Sequence, residues 1–265
     1  MLVARRRDLV ADRTRAANRL HDQLLAVSPA LERALDLGNR APLVLLSGFQ
    51  TPTALREAGA TQVMAWLRDR RVRGAAALAD AVVRAAQTQH TSLPGERLAA
   101  QLICQLAEAV MTLDQQLSEI NRLIEERFVR HPWAEVITSM PGIGVLLGAE
   151  FLAATGGDMT AFGSADRLAS LSGVAPVPRD SGRVFGNLHR PHRYHRGLQR
   201  VFYTSALISI RCNAESRRFY DRKRQEGKRH TQAVLALARR RVNVLWALLR
   251  DGRCYQPAPP AIEAA

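Results

Sequence analysis

Residues 96–129 read ERLAAQLICQLAEAVMTLDQQLSEINRLIEERFV. Within them Ala99, Ile103, Leu106, Val110, Leu113, Leu117, Ile120 and Ile124 recur at alternating four- and three-residue spacing, which is the apolar seam of one long helix. Such a seam has two readings. It can pair with a second copy of the chain as a coiled coil, or it can pack against the chain's own first helix. One seam does not reveal where its partner lies, so both stay open here. His131-Pro132-Trp133 then ends the helix, because the residue before a proline is pushed out of the α region.

Upstream, residues 2–27 read as a helix with Leu2, Leu9, Ala16, Leu20 and Leu24 toward a core and Arg5, Arg13, Arg15 and Arg19 elsewhere. It opens in mid-pattern without an N-cap, as though it continued something before it. Residues 40–90 hold shorter helices punctuated by Thr51-Pro52, Gly59 and Gly74, with starts at Thr51-Pro52-Thr53-Ala54-Leu55 and Ala60-Thr61-Gln62-Val63, where a hydroxyl can cap free amides. Downstream, helices over 197–213 and 229–250 close a second unit. In the last of these Val234, Leu237, Ala238, Val242, Leu245 and Leu249 make an apolar face, with Arg239, Arg240 and Arg241 on and beside it. The predicted class is therefore mainly α. A helical region (1–95) leads to the long helix (96–130) and a compact, mostly helical region (134–252), followed by a proline-rich tail (253–265) expected to be disordered.

With 265 residues, 47% of them hydrophobic, the chain can bury two or three compact units. Its formal net charge is +14, and Lys223 and Lys228 are its only lysines. Arginine's planar fork matches phosphate oxygens and does not titrate, so a polyanion is the natural partner. Cys104, Cys212 and Cys254 are scattered without CxxC spacing, which fits a reducing cytoplasm and argues against a zinc ribbon or a disulfide scaffold. No apolar run is long enough to span a bilayer, so no membrane partner is expected.

Chemistry concentrates in residues 139–200. Met140-Pro141-Gly142-Ile143-Gly144, followed by an apolar helix, has the form of a helix-hairpin-helix element, in which Gly142, Ile143 and Gly144 would present backbone amides to a phosphate. An ordinary helix–turn–helix connection is the plainer alternative. Pro178-Arg179-Asp180-Ser181-Gly182-Arg183 places a serine before a glycine that permits a tight turn. Ser181 is the candidate nucleophile, with Gly182 at the phosphate and Arg179, Arg183 and Arg190 to hold charge on a phosphorane. A capped turn is the commoner role of such a tripeptide.

The tract His189-Arg190-Pro191-His192-Arg193-Tyr194-His195-Arg196 spaces three histidines three apart, but Pro191 interrupts any helix and no carboxylate joins them, so no metal site is assigned. Arg190, Arg193, Arg196 and Arg200 are read instead as phosphate contacts. A second basic run, Arg217-Arg218-Phe219-Tyr220-Asp221-Arg222-Lys223-Arg224, interleaves aromatics with cations, as nucleic-acid surfaces do. Residues 156–167 offer only Asp158 and Asp166 as acids, which does not make a two-metal nuclease site.

Taken in order, Pro141-Gly142-Ile143-Gly144, Phe162-Gly163-Ser164-Ala165, Leu168-Ala169-Ser170-Leu171-Ser172-Gly173-Val174-Ala175-Pro176, Asp180-Ser181-Gly182 and Gly197-Leu198 resemble the insertion-sequence 110 family of transposases, of the IS116/IS110/IS902 type. The resemblance extends over nearly the whole chain. It implies a serine-dependent recombinase of DNA that works with a structured guide RNA, and it makes Ser181 the family's catalytic serine. It also implies an upstream RuvC-like nuclease domain with four acidic metal ligands. Asp8 and Asp12 do not match that acidic set, so no cofactor is expected in this chain, and magnesium is expected only with the upstream domain. A chain without that domain is expected to be inactive alone. Two other readings stand beside this one: a non-catalytic accessory protein that binds element ends or competes with the full-length enzyme through the coiled coil, and a host helix-hairpin-helix module. A homo-oligomer through the coiled coil is the expected assembly.

Overall fold

The computed structural model describes residues 1–89, 95–178, 180–183, 185–189 and 191–257. Among them the fold is mainly α, as the sequence predicts. Its helices are α1 (Leu2–Val27), α2 (Pro29–Ala34), α3 (Arg40–Gly48), α4 (Pro52–Asp69), α5 (Ala75–Gln87), α6 (Glu96–Val129), α7 (Ala134–Ser139), α8 (Val145–Thr155), α9 (Ala165–Leu171), α10 (Arg196–Cys212), α11 (Ala214–Gln225) and α12 (His230–Asp251). Two short strands, β1 (Val177–Pro178) and β2 (Leu188–His189), pair antiparallel. The chain forms two compact units, Met1–Ile120 and Asn121–Ala265, and the division falls inside α6.

In the first unit, Leu20 and Leu24 of α1 are fully buried with Leu31, Leu43, Leu45, Leu55 and Leu67 from the next three helices. Thr51 starts α4 as the sequence suggests, its hydroxyl accepting from the Ala54 amide at 3.1 Å. The helix breaks at Gly59 (φ 66°, ψ 166°) and resumes just after it, at the second predicted start. Ile103, Ala107 and Val110 of α6 belong to this same core. For these residues the intramolecular reading of the apolar seam is the one realised. Beside them Arg13 of α1 pairs with Asp114 of α6 at 2.5 Å, and that carboxylate raises the guanidinium pKa.

The second unit is built around α10, which packs on α8, α11 and α12, while α12 also meets α7 and α9. Phe151 of α8 and Phe202 of α10 are both fully buried, their rings edge to face at 6.0 Å. At the described start of the tail, the Tyr255 amide donates to Ser139 Oγ at 2.8 Å and its hydroxyl donates to Glu215 Oε2 at 3.1 Å. Residues 258–265 lie outside the described residues.

Truncating Leu24 to alanine leaves a cavity in a closed core, and Leu24→Ala is expected to cost about 3 kcal/mol in urea denaturation. Val10→Ala, at a side chain on the same helix that is 39% exposed, is expected to cost less than about 0.5 kcal/mol. Equal costs would contradict the orientation of α1.

Candidate nucleic-acid interface

The turn between α7 and α8 is locked from beneath. Gly142 adopts φ 83°, and a Cβ there would sit 2.6 Å from the Ser205 carbonyl oxygen and 3.0 Å from the Ser209 nitrogen. The close approach that this glycine allows is therefore to the backbone of α10. Ile143 is 3% exposed and its amide donates to the Met140 carbonyl at 3.0 Å, so neither its side chain nor its N–H faces outward. Gly144 differs. It is exposed, nothing lies within 4 Å of where its Cβ would be, and it begins α8 without a side-chain cap. The first amides of a helix carry partial positive charge, so an anion is favoured at this end.

Arg241 of α12 holds the turn in place. The residue is 4% exposed, with Nε donating to Ser205 Oγ at 2.8 Å and a terminal nitrogen donating to the Pro141 carbonyl. Desolvation lowers its pKa to about 10, which still leaves it charged at neutral pH. On the other side of α10, Arg200 forms an ion pair with Glu150 of α8, whose carboxylate is 7% exposed. Arg200, read from sequence as a phosphate contact, thus has a structural carboxylate partner.

Ser181 lies in the loop of the β1–β2 hairpin, where Val177 pairs with His189 and Pro178 with Leu188. Asp180, Ser181, Gly182 and Arg183 are all exposed, and Phe185 is 82% exposed. Asp180 braces the loop, its Oδ1 accepting from the Asn187 amide at 3.0 Å. Gly182 stays out of the left-handed region and nothing crowds it. Arg179 and Arg190 lie outside the described residues. Arg193 and Arg196 are exposed, and Arg196 opens α10. Of the three histidines, His195 caps α10 by accepting from the Leu198 amide at Nδ1 (3.1 Å), while its own amide donates to Leu171 O at 2.8 Å. Among the described residues no group of three His, Cys, Asp or Glu is arranged to hold a metal ion.

At the root of the hairpin is a cleft of about 520 Å³. Val174, Ala175 and Pro176 line one side and Leu235 and Ala236 of α12 the other, with His189, Lys228, Gln232 and Arg239 also on its walls. Arg239 is shared with Asp166 of α9 and Asn243. A second basic surface lies on α11 and α12, where Arg222, Arg240 and Lys223 stand 5.2, 5.3 and 5.7 Å from the Phe219 ring. Cation–π contact of this kind helps hold the charged groups in place.

Three features escaped sequence reading: Arg241 as the buried tie, Glu150 as the partner of Arg200, and Lys228 with Gln232 on the cleft. Arg241 had a signal. Three successive arginines on a helix turn through about 200°, so on a helix with so wide an apolar face one of them must point inward.

Residues 134–221 match the model of the Transposase IS116/IS110/IS902 family. The match takes in the locked turn, the hairpin, all of α10 and most of α11. The chain is 59% identical over 259 residues to the insertion element IS900 uncharacterized 42 kDa protein of Mycobacterium paratuberculosis, covering 97% of this chain and 65% of that protein. It is 49% identical to the insertion element IS116 uncharacterized 44.8 kDa protein of Streptomyces clavuligerus, covering 100% and 66% of the two chains. With the insertion element IS110 uncharacterized 43.6 kDa protein of Streptomyces coelicolor it shares 37% identity, covering 98% and 65%. The chain therefore spans just under two thirds of the length of these curated relatives. No helix among the described residues is long and apolar enough to cross a membrane.

Two glycine substitutions separate packing from ligand contact in the turn. Gly142→Ala, with its positive φ and backbone clash, is expected to destabilise by about 2 kcal/mol or more, whereas Gly144→Ala is expected to cost under about 0.5 kcal/mol. Thermal melts of the two variants check this, and a neutral Gly142→Ala would refute the packing role.

Proposed function

We propose that this chain is part of an insertion-element transposase that grips DNA through its phosphates and supplies Ser181 as the nucleophile of strand cleavage and exchange. The observation that carries the reading is the position of Ser181. It is exposed on a hairpin loop inside the family-matched segment, next to Arg183 and a glycine that leaves room for a phosphate. A family match alone does not give a serine this accessibility.

In the proposed step Ser181 Oγ gives up its proton and forms a bond to phosphorus. One P–O bond of the strand breaks, and the strand hydroxyl departs with that electron pair and takes up a proton. The phosphoserine ester keeps the linkage, so a hydroxyl from another strand can reverse the exchange and release the serine. Arg183, two residues from Ser181 in the chain, would balance charge on the phosphorane, Arg193 and Arg196 would contact neighbouring backbone phosphates, and the amides at the start of α8, from Gly144 onward, would hold another. The described residues bring together no donor set that fits a metal ion, so no step is routed through one. Any magnesium that strand exchange requires would need a carboxylate set other than those the described residues bring together. A structured guide RNA would bind through the same phosphate chemistry, including the cations around Phe219.

Two measurements test this. In plasmid recombination with the element's ends, its guide and the chain joined to an acidic nuclease domain, Ser181→Ala is expected to lower the rate by at least about a thousandfold, as loss of a nucleophile does. Its duplex affinity should remain within a few fold. Surviving recombination would remove Ser181 from the mechanism. Duplex affinity of the native chain should also fall by roughly a thousandfold between 50 and 200 mM salt if six or so phosphates are contacted. A flat salt response would contradict phosphate binding.

A further inference from the structure

We infer that the cleft at the root of the serine hairpin is a binding site for one unpaired nucleotide, whose base enters between the Val174-Ala175-Pro176 wall and α12 while its phosphate meets Lys228. This rests on the proposed nucleic-acid function and adds a specific pocket to it.

The volume, about 520 Å³, lies within the range of small-molecule sites, and the cleft is partly open to solvent. Its walls are chemically divided. Leu235 and Ala236 face Val174 and Pro176 with apolar surface suited to the flat faces of a base, while Lys228, His189 and Gln232 supply charge and hydrogen-bonding groups. A neutral apolar ligand would use the apolar part and leave the basic part unmatched. A nucleotide uses both, since it has an apolar face, a polar edge and a phosphate. The net charge of +14 favours the same occupant.

The pocket is also built rather than incidental. Gly173 has φ 66°, and a Cβ on it would lie 2.5 Å from the Tyr194 ring, so this ring packs directly against the backbone behind the wall. The Val174 and Ala175 amides both donate to the Ala169 carbonyl, at 3.2 and 3.3 Å, fixing the wall to α9. Location supplies the remaining argument. Pro176 leads straight into β1 and His189 ends β2, so the cleft lies at the base of the loop that carries Ser181. Ser181 lies five positions after Pro176, which limits their separation to about 18 Å, or roughly five base steps of one strand. A base held in the cleft would therefore set which phosphate reaches the serine.

The probe is a DNA duplex with one unpaired 2-aminopurine, compared with the same duplex carrying an abasic site there, with a fully paired duplex, and with the RNA counterpart of the first. The native chain is expected to bind the unpaired base about tenfold more tightly than the abasic site, the effect of burying one base, and to change its fluorescence. Ala236→Phe, which fills the cleft, should erase that preference and leave affinity for paired duplex unchanged. Lys228→Ala, at an exposed side chain, should reduce the preference even if Ala236→Phe does not fold. A preference confined to the DNA or to the RNA duplex identifies the source strand. Equal affinity for the abasic and unpaired duplexes, or a preference that both variants keep, overturns the pocket while paired-duplex binding keeps the broader function. Failure to bind any of the duplexes overturns both.

Discussion

A buried arginine, Arg241, with 4% of its surface exposed, is the constraint on which the second unit depends. Burying that charge is costly unless its donors are satisfied, and Arg241 meets the requirement by spending them on Ser205 of α10 and on the carbonyl of Pro141. The three elements it joins then have little freedom. The turn must lie against α10 closely enough that only a glycine fits at 142, and α10 must run where α8 can offer Glu150 to Arg200. The exposed start of α8 at Gly144 and the exposed start of α10 at Arg196 are thereby set by interactions made on their hidden sides.

This arrangement divides the cations into two kinds. Arg241 and Arg200 have partners inside the protein and shape the scaffold. Arg183, Arg193 and Arg196 are exposed, and those around Phe219 are held by an aromatic ring with only partial neutralisation by neighbouring acids such as Glu226, whose carboxyl pKa is lowered by Lys223. A chain with so large a positive balance would repel itself if every arginine stood free. Placing some of them in structural contacts leaves the remainder for a polyanion.

The hairpin is of another character. Two paired residues on each strand hold a loop that is exposed throughout its described length, braced by Asp180 at the Asn187 amide. The rigid parts of the unit, α9 through Ala169 and α10 through the His195 cap, hold its base and leave its tip accessible. A loop above a firm base leaves its tip open to a large partner without a clash with the core.

The sequence by itself determined that the protein is mainly helical, that α4 begins after Thr51 and breaks near Gly59, and that residues 139–200 hold its distinctive motifs. These follow from local rules, because periodicity, capping and glycine act within a few residues. Tertiary structure alone decided what the motifs touch. Gly142 was legible as a close approach, but only the position of α10 showed that the neighbour is protein backbone. Arg200 and Arg241 have the same side chain as Arg196, yet Glu150, Ser205 and Pro141 lie 50, 36 and 100 residues from them in the chain, beyond any local pattern. The seam of α6 was plain in the sequence, while the placement of Ile103, Ala107 and Val110 in the chain's own core was not. An apolar stripe states that it will be buried, and only the packed chain states against what.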